Sequence, residues 1–152
     1  MQIRKVGVVG CGLMGGGIAQ VRMQSGFEIV VREVSHELLD QGLRRIESIL
    51  LTDVVKGKLD AEAKDTALAR LQPTTARDAC ADSHIAIEAI AERLDAKREL
   101  FAALDDICPP MTMIATKTSS LAIIEIAAAT RRPVHFAGLH LFLAHAGIDR
   151  IC

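Results

Sequence analysis

The chain has 152 residues, enough for one domain with a real hydrophobic core and hardly for two. Half of the residues are hydrophobic and the formal net charge is -1, which argues against a disordered chain and against a basic protein that binds nucleic acid. No apolar run approaches the roughly 18 residues of a membrane span, and the first predicted strand begins too early for a signal peptide to precede it.

The first predicted element is an apolar strand over residues 3–9 that runs into a glycine-rich turn. Gly10, Gly12 and Gly15 follow with the spacing G-x-G-x-x-G, and an apolar helix then extends to about residue 25. In a dinucleotide-binding fold the first glycine permits the turn, the second lets a pyrophosphate approach the backbone, and the third lets the helix pack on the sheet. The phosphates then lie at the helix N-terminus, where N–H groups and the helix dipole favour an anion.

The second predicted strand, residues 27–33, ends in a carboxylate. Glu33 stands 18 positions after Gly15, where an acidic residue accepts both hydroxyls of an adenosine ribose and repels a 2′-phosphate. The pattern therefore favours NAD over NADP. The alternative is a flexible glycine turn in an unrelated α/β protein.

Two helices are predicted next, as a hairpin over residues 35–71. Ser35 and Asp60 are the expected N-caps, and Gly57 is expected to end the first helix. This insertion is longer than a crossover between strands needs, so it is expected either to cover a substrate or to pack on a partner. The apolar residues of the first helix fall at helical spacing and form one stripe: Leu39, Leu43, Ile46 and Leu50.

The remaining chain alternates further strands with helices. Strands are expected at residues 73–75, 84–90, 113–116 and 134–140, with helices over residues 94–108 and up to about 129. Alternation of this kind predicts an α/β fold with a parallel, doubly wound sheet. In such a sheet, ligands bind outside the carboxyl ends of the strands. The segments expected to ring one crevice are the glycine turn, Glu33, and residues 88–92, 116–120 and 138–140.

Four motifs carry a resemblance to a known family. They are GCGLMGGGIAQ at residues 10–20, EAIAE with KRELF at 88–101, ATKTSSL at 115–121 and GLH at 138–140. On these motifs the chain resembles the NAD-binding domain of the 3-hydroxyacyl-CoA dehydrogenases, which include the 3-hydroxybutyryl-CoA dehydrogenases. The resemblance implies a Rossmann-type NAD-binding domain over residues 1–142 with the helical hairpin inserted, followed by a divergent tail at residues 143–152.

The resemblance also implies roles for individual residues. Ser119 would hydrogen-bond the oxygen of an acyl-CoA substrate, and His140 would be the general acid/base, because a histidine titrates near neutral pH. Lys56 would lie near the phosphates of coenzyme A. The residues that would bind NAD are Gly10, Gly12, Leu13, Met14, Gly15, Glu33, Glu92 and Lys97.

Each of these roles has a plainer alternative. Ser119 can simply cap the helix that follows it, and His140 can simply be a structural histidine at a strand end. Glu92 can be a carboxylate that the helix dipole favours, with Lys97 as its partner or as a solvated charge. Lys56 can be an ordinary surface lysine.

Three features depart from the family pattern. Leu143 and Ala144 stand where the family carries Asn and Pro, and Cys152 stands where it carries the Glu that orients the histidine. A thiol is mostly neutral at pH 7 and cannot replace that carboxylate. Lys117 replaces an Asn near the nicotinamide. The helical C-terminal domain of the family, which closes the cleft and usually forms the dimer, does not follow, so we expect a truncated or altered C-terminus.

Three hypotheses follow. The first is an NAD-dependent 3-hydroxyacyl-CoA dehydrogenase with an incomplete catalytic apparatus. The second is a module that binds NAD(H) or acyl-CoA without turnover. The third is a subunit whose sheet edge and apolar surface serve association, in a homodimer or with a chain that supplies a helical domain.

The cysteine and aromatic content bears on the cellular compartment and on the ligands that the protein can bind. The cysteines show no C-x-x-C pairing and are interpreted as reduced thiols of a cytoplasmic protein rather than as a disulfide or metal site. The chain has no Trp or Tyr and only four Phe, so it lacks aromatic surfaces on which bases stack. The four cysteines are Cys11, Cys80, Cys108 and Cys152.

Overall fold

A parallel six-stranded sheet forms the centre of the molecule. The computed structural model describes residues 2–118 and 122–139, and only the backbone of residues 141–144 and 147–151. The strands lie in the order β3-β2-β1-β4-β5-β6, and each neighbouring pair is parallel. The predicted doubly wound sheet is therefore confirmed. The strands are β1 (Lys5–Val9), β2 (Glu28–Arg32), β3 (Leu71–Thr74), β4 (Ile85–Glu88), β5 (Met113–Thr116) and β6 (Phe136–Gly138).

Helices cover both faces of the sheet. Val8 and Val31 on one face pack with Ile18, Ile46 and Leu50 of the first two helices, and on the other face Phe101 meets Phe136 edge to face at 4.9 Å between ring centroids. Within the described ranges, no helix has the length and apolar character to cross a membrane. The helices are α1 (Leu13–Gln24), α2 (His36–Val55), α3 (Ala61–Leu68), α4 (Leu94–Ile107) and α5 (Ile123–Ala127).

The predicted helix boundaries rest on local hydrogen bonds and backbone angles. The Ser35 hydroxyl accepts from the amide of Leu38 at 3.3 Å, and the Asp60 carboxylate accepts from the amide of Ala63 at 2.7 Å. Gly57, just after α2, has φ of 69°, a conformation that side chains with a Cβ disfavour. Both predicted N-caps and the predicted end of the long helix are therefore confirmed.

Other boundaries were predicted wrongly. Leu71 was assigned to the end of the helical hairpin but opens β3, because the amide of Ile29 on β2 donates to the carbonyl of Arg70 at 2.9 Å and draws the chain into the sheet. The start assigned to the last strand is instead a 3-10 turn (Pro133–His135), with the proline at its beginning. The prediction assigned no element to residues 143–152, yet β7 (Leu141–Ala144) and β8 (Gly147–Ile151) form an antiparallel pair.

A buried aspartate joins the end of α4 to the segment before β6. The Asp105 carboxylate accepts hydrogen bonds from Arg131 Nε at 2.7 Å and from Arg132 Nε at 2.5 Å. Burial raises the pKa of Asp105, but the hydrogen bonds from Arg131 and Arg132 outweigh it and lower the pKa to about 2. Arg132 also donates to the carbonyls of Asp105 at 2.7 Å and Cys108 at 3.1 Å, so it caps the C-terminus of α4.

This arrangement predicts a loss of stability in acid. The folded pKa of Asp105 lies below the unfolded value of about 3.9, so its contribution is complete above pH 4 and disappears as the pH falls toward 2. We expect the contribution to be about 1–2 kcal/mol, because water around the exposed Arg131 screens the pair. In urea unfolding, the stabilities of the wild type and Asp105→Asn should converge by this amount between pH 6 and pH 2. The exposed Asp106→Asn is the control, and a constant difference at all pH values would contradict the assignment.

An apolar groove of about 230 Å³ lies on the sheet face beside α1. Its floor is formed by side chains of β4, β5 and the segment that follows β6, among them Ile87, Ala115 and Leu139. Helices α2 and α3 pack with α1 at the other half of this face. The backbone of β8 also lies close to α1, and the groove that remains is an apolar surface that a further element or partner can cover.

Candidate functional site

The carboxyl ends of five neighbouring strands align at one edge of the sheet. Val9 at the end of β1 pairs with Arg32 of β2 and with Glu88 of β4. Glu88 in turn pairs with Thr116, and Thr116 pairs with Gly138. The segments that were predicted to ring one crevice therefore leave the sheet side by side, at the edge where doubly wound folds bind their ligands.

The glycine turn after β1 is held by close backbone contacts. Gly10 has φ of 101° and donates its N–H to the carbonyl of Arg32 at 2.8 Å. A Cβ on Gly10 would lie 2.6 Å from the carbonyl oxygen of Ala89, and a Cβ on Gly15 would overlap the carbonyl oxygen of Gly10. These two glycines are therefore required by the geometry of the turn itself.

Gly12 differs, because it faces open space. A Cβ placed on Gly12 meets no atom within 4 Å, and Gly12 is the N-cap of α1 without a capping side chain. Leu13 is exposed and Met14 half-buried at the first turn of the helix. The turn thus presents bare backbone and the positive end of a helix to the crevice, and these residues fit the diphosphate of a dinucleotide.

Glu33 lies directly beside this turn. Its Oε2 accepts the N–H of Cys11 at 2.9 Å, and its Oε1 accepts the N–H of Val34 at 2.7 Å. The carboxylate is fixed by two backbone donors at the end of β2, and each carboxylate oxygen can accept more than one hydrogen bond. Its assignment to the adenosine ribose remains a prediction that this position supports.

Sequence reasoning missed Gly42, which sets the distance between α2 and the glycine turn. A Cβ on Gly42 would overlap both the carbonyl oxygen and the sulfur of Cys11. Burial, reinforced by the Glu33 carboxylate, raises the pKa of the Cys11 thiol to about 11. The thiol is therefore neutral at pH 7 and adds no negative charge beside the place proposed for the phosphates. An isolated glycine inside a predicted helix was the signal for this close approach.

A buried ionic cluster lies at the ends of β4 and β5. Lys97 of α4 is completely buried, and its Nζ contacts Glu88 Oε1 at 2.7 Å and Glu92 Oε2 at 3.2 Å. The other Glu88 oxygen accepts the Thr116 hydroxyl at 2.6 Å, and the Thr118 hydroxyl donates to Glu92. Lys97 is thus the partner of Glu92, as one of the two alternatives predicted, and it is not a solvated charge. We call these three ionic residues the Glu88–Lys97–Glu92 cluster.

The remaining predicted residues lie elsewhere. Lys56 is exposed at the C-terminus of α2, where it lines a shallow surface groove with Arg44, Glu47 and Leu51. Ser119, His140 and Cys152 lie outside the described residues. Leu143 and Ala144 fall in β7, of which the backbone alone is described. Within the described residues, no cluster of three or more His, Cys, Asp or Glu side chains is placed to hold a metal ion.

The sheet order, the glycine turn and the carboxylate after β2 define a dinucleotide-binding domain of the Rossmann class. Comparison with known proteins gives the family. Residues 5–145 match the family described as "3-hydroxyacyl-CoA dehydrogenase, NAD binding domain". The chain belongs to this family, so the resemblance stated from the motifs is confirmed, and with it NAD as the cofactor of the domain.

Relatives of known sequence and structure agree with this assignment. The chain is 41% identical over 142 residues to 3-hydroxyadipyl-CoA dehydrogenase of Escherichia coli, and 41% identical over 140 residues to a probable 3-hydroxybutyryl-CoA dehydrogenase of Bacillus subtilis. These matches cover 93% and 92% of the chain. The crystal structure of (S)-3-hydroxybutyryl-CoA dehydrogenase from Ralstonia eutropha superposes with a TM-score of 0.90 at 37% identity, over 93% of this chain and 50% of that one.

The match is confined to part of each relative. The chain spans 30% of the length of the Escherichia coli protein and 49% of that of the Bacillus subtilis protein. The chain therefore contains the NAD-binding part of this family. The activity and the substrate of the protein are proposals.

Proposed function

We propose that the chain binds NAD(H) and serves as the cofactor half of an oxidoreductase that acts on the 3-hydroxy or 3-oxo group of an acyl-CoA. The observation that carries the proposal is the open backbone at Gly12, with Glu33 hydrogen-bonded to the same turn. Bound NAD supplies the hydride acceptor. The residues of the chain hold its diphosphate at Gly12 and the first turn of α1, and its adenosine ribose at Glu33.

The substrate class rests on the family. The relatives' names specify 3-hydroxyadipyl-CoA and 3-hydroxybutyryl-CoA, which share a 3-hydroxyacyl group on coenzyme A. In this proposal Ser119 hydrogen-bonds the substrate oxygen, and His140 moves the hydroxyl proton as general acid/base. Lys56, exposed at the end of α2, provides a cation for the phosphates of coenzyme A.

A second candidate function is a module that binds NAD(H) without turnover. It is favoured by the residues at three family positions, where Leu143 and Ala144 replace Asn and Pro and Cys152 replaces the Glu carboxylate. A partner chain or a second copy is the related proposal, supported by the apolar groove on the sheet face. A cytoplasmic setting is supported by Cys11, Cys80 and Cys108, which are free and buried.

Calorimetric titration with NADH, alongside an assay of NADH oxidation by acetoacetyl-CoA, tests these proposals. We expect binding with a Kd of roughly micromolar order and little or no turnover by the purified chain. The reason is that Cys152 cannot orient and stabilise a charged imidazole as a carboxylate does. Efficient turnover would contradict the second candidate, and failure to bind NADH would contradict both.

A further inference from the structure

We infer that the Glu88–Lys97–Glu92 cluster sets the preference of the site for the oxidised over the reduced cofactor. The inference rests on the proposed NAD(H) binding and goes beyond it. The nicotinamide ring carries one positive charge in NAD⁺ and none in NADH, so a fixed charge near the ring acts on one form and not on the other. The cluster joins one ammonium to two carboxylates and has a net charge of −1.

The fold places this cluster on the nicotinamide side of the cofactor. Glu33 at the end of β2 and the turn after β1 mark the adenosine and diphosphate half. A dinucleotide crosses the point where the strand order reverses, between β1 and β4, so its other half lies over the ends of β4 and β5. Glu88 ends β4, Thr116 ends β5, and Glu92 begins the segment that leads into α4.

Burial gives the cluster a fixed geometry and a strong field. The side chains of Glu88 and Lys97 are completely inaccessible, and the Glu92 side chain is 30% exposed. Both Glu88 oxygens accept hydrogen bonds, from Lys97, Thr116 and the backbone N–H of Ile90. Charges held in this way are screened less by water and salt than surface charges. Glu88 and Lys97 are positioning residues here, because they act on the cofactor through Glu92 and through the field.

The experiment measures Kd for NAD⁺ and NADH and compares their ratio among variants of the full chain. Glu88→Gln changes the cluster charge from −1 to 0 at nearly constant volume. We expect NAD⁺ to lose affinity relative to NADH by about three- to tenfold. A tenfold change corresponds to about 30 mV in the midpoint potential of the bound two-electron couple.

The double variant Glu88→Gln/Lys97→Met returns the charge to −1, because it removes one unit of each sign. Its ratio should return to within about twofold of the wild-type ratio. Thr116→Val is the matched control, since it removes the hydroxyl donor to Glu88 and leaves the charge unchanged. It should lower the Tm without changing the ratio. The other charged residues near the cluster are the same in all variants: Arg93, Asp95, Arg98 and Glu99 in sequence, and Lys117 just after β5.

A purely structural role predicts a different result, because damage to the fold weakens both cofactor forms by the same factor. An unchanged ratio in Glu88→Gln, or a double variant with the same ratio as Glu88→Gln, overturns the inference. If Glu88→Gln does not fold, Glu92→Gln makes the same charge change at the most exposed member, and its Kd for NAD⁺ must rise relative to its Kd for NADH. If the wild type binds neither form, the proposed function itself is wrong.

Discussion

Alanine at Gly15 is expected to remove both the stability and the cofactor binding of the domain, whereas alanine at Gly12 should remove only the binding. A methyl group on residue 15 overlaps the carbonyl oxygen of Gly10. That atom belongs to the backbone of the turn, so no side-chain rotation relieves the overlap. We expect a loss of about 3 kcal/mol or more in the free energy of unfolding.

Gly12→Ala provides the matched control, because the same methyl group is added three residues away. Gly12 has φ of −70° and ψ of −163°, which alanine adopts without strain, and its Cβ would face open space. Stability should change by less than about 1 kcal/mol. Affinity for NADH should fall at least about tenfold, because the methyl group occupies the approach of the diphosphate to the backbone.

Urea unfolding and calorimetric titration of the two variants separate the two effects. Wild-type affinity for NADH in Gly12→Ala would show that the diphosphate does not pass over this residue. Wild-type stability in Gly15→Ala would show that α1 does not approach Gly10 as closely as the structure places it.

The parts of the fold that sequence predicted well are those fixed by local physics. Gly10, with φ of 101°, and Gly57, with φ of 69°, occupy conformations that residues with a Cβ avoid. Ser35 and Asp60 begin helices because their side-chain oxygens accept backbone N–H groups three residues later. Such features need only a few neighbouring residues, so they can be recognised without knowledge of the tertiary structure.

The parts that sequence predicted poorly depend on contacts between distant segments. A lysine on an amphipathic helix is usually solvated, and Lys97 is buried because Glu88, nine positions earlier, reaches it from β4. The sequence does contain a signal, since Glu88 interrupts the apolar strand predicted over residues 84–90. A carboxylate in a strand covered on both faces needs a charged or hydrogen-bonding partner. Which residue supplies it depends on how α4 packs against the sheet.

Gly42 illustrates the same limit. Helical periodicity places residue 42 on the inner face of α2 beside Leu39 and Ile46. Periodicity does not reveal that the inner face meets the backbone at Cys11, where even a methyl group does not fit. The candidate site therefore includes a residue whose contribution is the absence of a side chain, and only the tertiary packing identifies it.

Glu33→Gln should weaken NADH binding and also reduce the discrimination against NADPH. The substitution keeps the size of the side chain but removes the charge and replaces one acceptor oxygen by an NH₂ group. One backbone donor, at Cys11 or Val34, then loses its acceptor, and the ribose hydroxyls lose a charge-assisted hydrogen bond. Hydrogen bonds to charged groups contribute about 1.5–3 kcal/mol, so the Kd for NADH should rise about ten- to a hundredfold.

The comparison with NADPH makes the assignment specific. The Glu33 carboxylate repels a 2′-phosphate, so its removal should lower the ratio of Kd for NADPH to Kd for NADH. Glu37→Gln, on the exposed first turn of α2, makes the same change of charge without a place in the glycine turn, and it should leave that ratio unchanged. An equal loss of affinity for both cofactors in Glu33→Gln would mean that the carboxylate only supports the turn. The ribose would then have to be held by another group at the edge of β2.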